Sequence, residues 1–231
     1  MLFGLFTFDW TILIVIPGLI ISLWAQFKVQ STYKKYSTFY TKKRMTGADA
    51  ARRILDSEGL YHIKVEHIRG NLTDHYDPRA DVIRLSDSVY ASTSAAALGV
   101  AAHEAGHALQ HAKGYVPMKI RSAVIPMTRF GSMLSIPLFF IGLLMASEYL
   151  MLFGILLYSA VAFFQLVTLP VEFNASRRAL AILRSSSMLD NEELGAARKV
   201  LTAAALTYVA ALLTSLLTLL RLLVLANNRR R

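Results

Sequence analysis

Residues 149–171 read YLMLFGILLYSAVAFFQLVTLPV, and the next residue is Glu172. These 23 positions contain no Asp, Glu, Lys or Arg. As a helix they extend about 34 Å, enough to cross the roughly 30 Å hydrocarbon core of a bilayer. Three further charge-free runs lie outside this one, at 10–27, 130–147 and 200–220. Only Glu148 separates the second run from the third, so those two predict a helical hairpin. The chain has 231 residues, is 55% hydrophobic and 17% charged, and has a mean hydropathy of +0.43. Four such runs in one short chain exclude an ordinary soluble globule and a disordered chain. The absence of cysteine excludes a disulfide framework and a thiolate metal site.

The first run, WTILIVIPGLIISLWAQF, is read as a retained span rather than a signal peptide. It is preceded by Asp9 instead of a basic flank, and Trp10 and Trp24 sit near its ends as interface anchors do. Pro17 and Gly18 are placed to kink it.

Charge sets the expected orientation. Residues 28–122 hold 15 Lys and Arg against 9 Asp and Glu, with Lys28, Lys34, Lys35, Lys42, Lys43 and Arg44 close behind the first span. The positive-inside rule puts this segment in the cytoplasm and the N-terminus outside. Four complete crossings then also put Arg229, Arg230 and Arg231 outside, against the same rule. The net charge of +10 is best matched to anionic lipid headgroups, because the bases flank a span; nucleic acid is not an expected partner. The expected organisation is an N-terminal span (1–27), a cytoplasmic segment (28–122), a transmembrane hairpin (123–170), a cytoplasmic helix (171–202), and a last span with a basic tail (203–231).

Within the first polar segment, Thr46 and Asp49 form a capping-box-like start for a helix over 48–57, which Gly59 is placed to end. His62–Glu66 alternates as a strand does, and Asp81–Leu85 is a second extended segment after the Asp77-Pro78 turn. An Ala-rich helix is expected from Ser92 to Ala112, with Gly114 just beyond it.

That helix contains His103-Glu104-Ala105-Gly106-His107. Side chains four apart share a helix face, so both imidazoles can meet one zinc ion, with Glu104 beside them as general base. A third ligand is needed, with the fourth position open. His111, His75 and Glu172 are the candidates. The longer motif with a third histidine on the same stretch requires Gly at 110 and His at 113, where this chain has Gln110 and Lys113. The hairpin crosses the membrane twice, which returns Glu172 to the side of His103 in either orientation, so topology favours Glu172.

These features, with Asp74-His75-Tyr76-Asp77-Pro78-Arg79, Val82–Ser86 and Glu172-Phe173-Asn174-Ala175-Ser176-Arg177-Arg178-Ala179, resemble the YugP-like family of bacterial membrane zinc metallopeptidases. The resemblance covers essentially the whole chain. It is more distant to membrane-embedded gluzincins of the HtpX type, whose Glu ligand lies in an E-x-x-x-D pattern; here Ser176 stands where their Asp orients a zinc histidine. The resemblance implies one catalytic Zn2+ held by His103, His107 and Glu172, with Glu104 as the base. It also implies a mainly α membrane protein of about four transmembrane helices, carrying a small α+β zincin-like cytoplasmic domain.

Three further expectations follow. A strand beside the site would bind extended peptide, and Val82, Ile83, Arg84 and Leu85 are the candidates. Groups that orient a zinc ligand or stabilise the oxyanion are expected among His75, His111, Ser176, Arg178 and Tyr208. The substrates expected are membrane-associated proteins or peptides, in the plasma membrane of a bacterium. The competing reading is a non-catalytic membrane scaffold with a structural zinc, which a fourth protein ligand such as His111 would favour.

Overall fold

The computed structural model describes residues 9–229. Residues 1–8 of the first expected segment, and Arg230 and Arg231 of the basic tail, lie outside the described residues. The order of elements is α1 (Ile12–Tyr36), α2 (Gly47–Ser57), β1 (Lys64–Ile68), β2 (His75–Asp77), β3 (Val82–Ser86), α3 (Ala95–Ala112), α4 (Val116–Leu144), α5 (Glu148–Ser185) and α6 (Asn191–Arg229). The protein is mainly α, with four helices among the described residues long and apolar enough to cross a membrane (α1, α4, α5 and α6) and a small α+β region.

The described chain forms two compact units. One takes residues up to 24, 120–167 and from 208 onward. Its helices are joined by small residues and a few polar contacts. A Cβ on Gly142 would stand 2.6 Å from the Met151 backbone nitrogen, and one on Gly154 would stand 2.8 Å from the Ser135 oxygen. The α4 and α5 backbones therefore touch directly, as membrane helices do where hydrophobic burial gives no drive for association. Phe139, Met151, Ile155 and Leu222 form a small core. Between α1 and α6, Thr214 Oγ1 donates to the Gly18 carbonyl at 3.0 Å and lies 3.0 Å from Ser22 Oγ. Arg221 pairs with Asp9 at 2.7 Å. Leu13, Leu19, Ile20, Leu23, Leu152, Phe153 and Leu156 are exposed. So large an apolar surface is expected against hydrocarbon and not against water.

The other unit takes residues 25–119 and 168–207. The helix α2 starts as expected: Thr46 Oγ1 accepts from the Asp49 amide at 3.1 Å, and Asp49 accepts from the Thr46 amide at 3.2 Å. Gly59 and Gly114 both adopt left-handed φ (+73° and +62°) just past helix ends, where a Cβ would be strained. The three strands are ordered β1-β3-β2, with β1 parallel and β2 antiparallel to β3. Ile54, Leu55, Ile63, Ile83, Leu85, Leu98, Leu109, Leu183 and Met188 fill the core beneath them.

Several boundaries differ from the sequence expectation. β1 lies two residues later than 62–66, because its register is set by pairing Lys64–Ile68 with Val82–Ser86. α3 begins at Ala95, capped by Ser94. The short edge strand β2 lies where only a turn was expected. The segment 171–202 is not one helix: α5 runs unbroken through Pro170 to Ser185, and α6 begins at Asn191.

Candidate metal centre

All the side chains of this site lie within the 25–119 and 168–207 unit. α3 presents His103 and His107 one turn apart, with ring centroids 4.7 Å apart and planes at 85°. Its other positions here are small: Ala101, Ala102, Ala105 and Ala108 are fully buried. Gly106 lets α3 lie against α5, since a Cβ there would be 2.8 Å from the Ala175 oxygen. This close approach brings in Glu172. Its Oε2 is 3.2 Å from His103 Nε2 and 3.5 Å from His107 Nε2, and the side chain is 2% exposed.

The donor set fits zinc. Donors about 2.0–2.1 Å from a tetrahedral ion stand about 3.3 Å from one another, and the two measured separations bracket that value. His103 Nδ1 lies 3.1 Å from Ser176 Oγ, and His107 Nδ1 lies 3.0 Å from Gln110 Oε1. Each ring is thus held by its far nitrogen with the near one turned inward, as metal-bound histidines are. Among the described residues the cluster of metal-ligating atoms within 4.8 Å of one another is His103, His107 and Glu172. Burial works against charging His107, but the Glu172 hydrogen bond and the Glu104 charge outweigh it and hold its pKa above the usual histidine value.

Glu104 is buried beside the first histidine, and its Oε2 accepts from the Tyr76 amide at 2.9 Å. Tyr76 belongs to β2, whose base is anchored by Asp74: the Ser86 amide donates to Asp74 Oδ1 at 2.7 Å, and Ser86 Oγ lies 3.0 Å from Oδ2. Burial raises the Asp74 carboxyl above the ordinary range, and the nearby Glu104 charge adds to this. The Tyr76 hydroxyl lies 3.1 Å from His111 Nδ1 and 3.4 Å from Asp81 Oδ1. Burial and the Asp81 charge push its pKa up to about 12.

The other candidates are placed as follows. His111 is exposed against Tyr76, and His75 Nδ1 is 2.9 Å from the Thr73 carbonyl. Neither joins the ligand cluster. Arg178 Nε donates to Asn174 Oδ1 at 2.7 Å. Tyr208 is half-buried on α6, in the apolar unit. The expectation that Val82, Ile83, Arg84 and Leu85 offer a peptide-binding edge is corrected. They form the central strand, with backbone paired on both sides; Val82, Ile83 and Leu85 are buried, and Arg84 is engaged by Asp77 at 3.2 Å and Glu66 at 3.6 Å. The open edge beside α3 is β2.

A family model described as "Putative neutral zinc metallopeptidase" matches residues 11–227. The chain belongs to this family. It is also 50% identical over 219 residues to "Putative membrane protease YugP" of Bacillus subtilis (strain 168), covering 95% of this chain and 97% of that protein. No solved structure matches. Family membership and the four apolar helices make this a membrane protein of zinc-metallopeptidase type.

Gln110, Asn174, Asp74 and Tyr76 were not singled out from sequence for the contacts they make. A weak signal existed for Gln110: it is three residues past His107, on the same helix face.

Proposed function

We propose that this chain is a membrane-integral zinc endopeptidase of gluzincin type, with His103, His107 and Glu172 holding one zinc, Glu104 as general base, and the site facing the cytoplasm. The observation that carries the reading is the convergence of these three donors, at 3.2 Å and 3.5 Å, beside a carboxylate that is not among them. Zinc bound there supplies Lewis-acid activation of water and of the scissile carbonyl. Glu104 takes a proton from the attacking water and returns it to the leaving amine. The Tyr76 amide holds its carboxylate in place for both transfers. A three-residue donor set leaves a coordination position for chemistry, which favours the enzyme over the scaffold with a closed structural site.

The edge strand supports a peptide substrate. Backbone groups of alternate residues in an antiparallel pair point away from the partner strand. The Tyr76 amide points to Glu104 and not to β3, so its carbonyl lies on the same open edge. An extended substrate can donate a backbone N–H to that carbonyl, beside Glu104. The basic residues behind α1 support the cytoplasmic placement.

The test is Glu104→Gln in purified, lipid-reconstituted protein. Zinc content stays at one per chain, and hydrolysis of an unfolded or membrane-protein substrate falls by about 10²–10⁴-fold. Wild-type turnover by this variant would refute the mechanism.

A further inference from the structure

We propose that Gln110 is a positioning residue that sets the tautomer of His107, and through it how tightly the site holds zinc. This rests on the zinc-site reading above.

Gln110 is fully buried. Its Nε2 lies 2.8 Å from the Val171 carbonyl and 3.0 Å from Asn174 Oδ1. The carbonyl can only accept, so the amide nitrogen must face it, and the orientation of the Gln110 side chain is decided. Asn174 is oriented in turn by Arg178, whose Nε can only donate and lies 2.7 Å from Asn174 Oδ1. With Nε2 committed to two acceptors on α5, Gln110 Oε1 is the atom 3.0 Å from His107 Nδ1. An oxygen acceptor there requires the proton on Nδ1. In neutral His107 the lone pair is then on Nε2, the nitrogen that faces Glu172. The opposite tautomer would put the proton on Nε2, where zinc has to bind, and would leave Oε1 facing an unprotonated nitrogen with no donor between them.

The same side chain ties two ligand-bearing elements together. Gln110 stands one turn past His107 on α3, and Val171 and Asn174 flank Glu172 on α5. The relay Arg178–Asn174–Gln110–His107 thus makes one unit of the ring orientation and the spacing between helices. Arg178 is assigned here a place in this relay, as a support for Asn174.

The experiment uses full-length protein in detergent, with ¹⁵N- and ¹³C-labelled histidine, and zinc itself as the probe. In zinc-loaded wild-type protein, where the metal takes Nε2, the spectrum shows Nδ1–H. Gln110→Met removes the acceptor, and zinc affinity, measured by chelator competition, falls by about 10–100-fold. An Nε2–H signal for His107 in wild type overturns the proposal, as does a folded Gln110→Met protein binding zinc within about threefold of wild type. Should Gln110→Met fail to fold, the wild-type spectrum decides alone. Wild-type protein that binds no zinc overturns both the function reading and this one; wild type that binds it, matched by Gln110→Met, overturns only this one.

Discussion

Gly106→Ala adds one methyl group at the contact between α3 and α5. The new Cβ would lie 2.8 Å from the Ala175 oxygen and 3.3 Å from two other Ala175 backbone atoms, where ordinary contact begins at 3.4 Å. Both partners are helix backbone, so no side chain can swing aside. Restoring contact requires local separation of about 0.6 Å, the difference between those distances. Carried to the next turn, that shift would widen the 3.2 Å and 3.5 Å gaps between the histidines and Glu172 to about 3.8–4.1 Å, beyond the roughly 3.3 Å edge of a tetrahedral zinc site. Overpacking of this kind costs about 1–3 kcal/mol. If it falls on the metal site, zinc affinity drops between about 5-fold and 150-fold, at about 1.4 kcal/mol per decade. The fold itself is partly protected, because Ala is favoured over Gly in a helix by about 1 kcal/mol. The control is Gly195→Ala on α6, where a Cβ meets nothing within 4 Å; it should leave zinc affinity unchanged. Chelator competition measures affinity, and thermal melting of the zinc-free proteins measures the fold. A Gly106→Ala protein with wild-type zinc affinity would refute the claim that this close helix approach builds the site.

Ser176→Asp places a carboxylate near His103 Nδ1, 3.1 Å from the present hydroxyl, and should tighten zinc by about 10-fold in the same competition assay; unchanged affinity would show that Ser176 does not act through His103. Asp74→Asn tests linkage. The folded-state pKa of Asp74 is raised, so the stability it contributes is complete below the ordinary aspartate value and is lost as pH rises through the folded value. The Asn variant cannot ionise, so its melting temperature should rise relative to wild type between acidic and neutral pH, and a constant difference would contradict the burial argument. The absence of cysteine allows single-cysteine mapping without a background. Ser147→Cys at the hairpin tip should react with an impermeant thiol reagent from outside intact cells, and Tyr61→Cys only after permeabilisation; the reverse pattern would invert the proposed topology.

Features that depend on local spacing were legible in the order of residues alone. A charge-free run of 23 residues is long enough to span a bilayer whatever surrounds it, so four membrane helices were legible. Two histidines four apart share a face in any α-helix, so His103 and His107 were legible as a pair with Glu104. The capping box at Thr46 was legible because its partners are three residues apart. Glu172 was legible only as one of three candidates, since 69 positions separate it from His103 and no local rule bridges them. Tertiary structure made that choice, through the contact of Gly106 with Ala175. It also decided which strand is central. Val82–Leu85 looks like an accessible strand until β1 and β2 take both of its edges, and pairing partners are long-range facts that one strand's pattern does not contain. β2 itself is three residues of His, Tyr and Asp, too short for a period and too polar for a strand signal. Gln110 remained hidden for a related reason: a glutamine on a helix is chemically ambiguous until neighbours fix which end of its amide donates, and those neighbours, Val171 and Asn174, come from another helix.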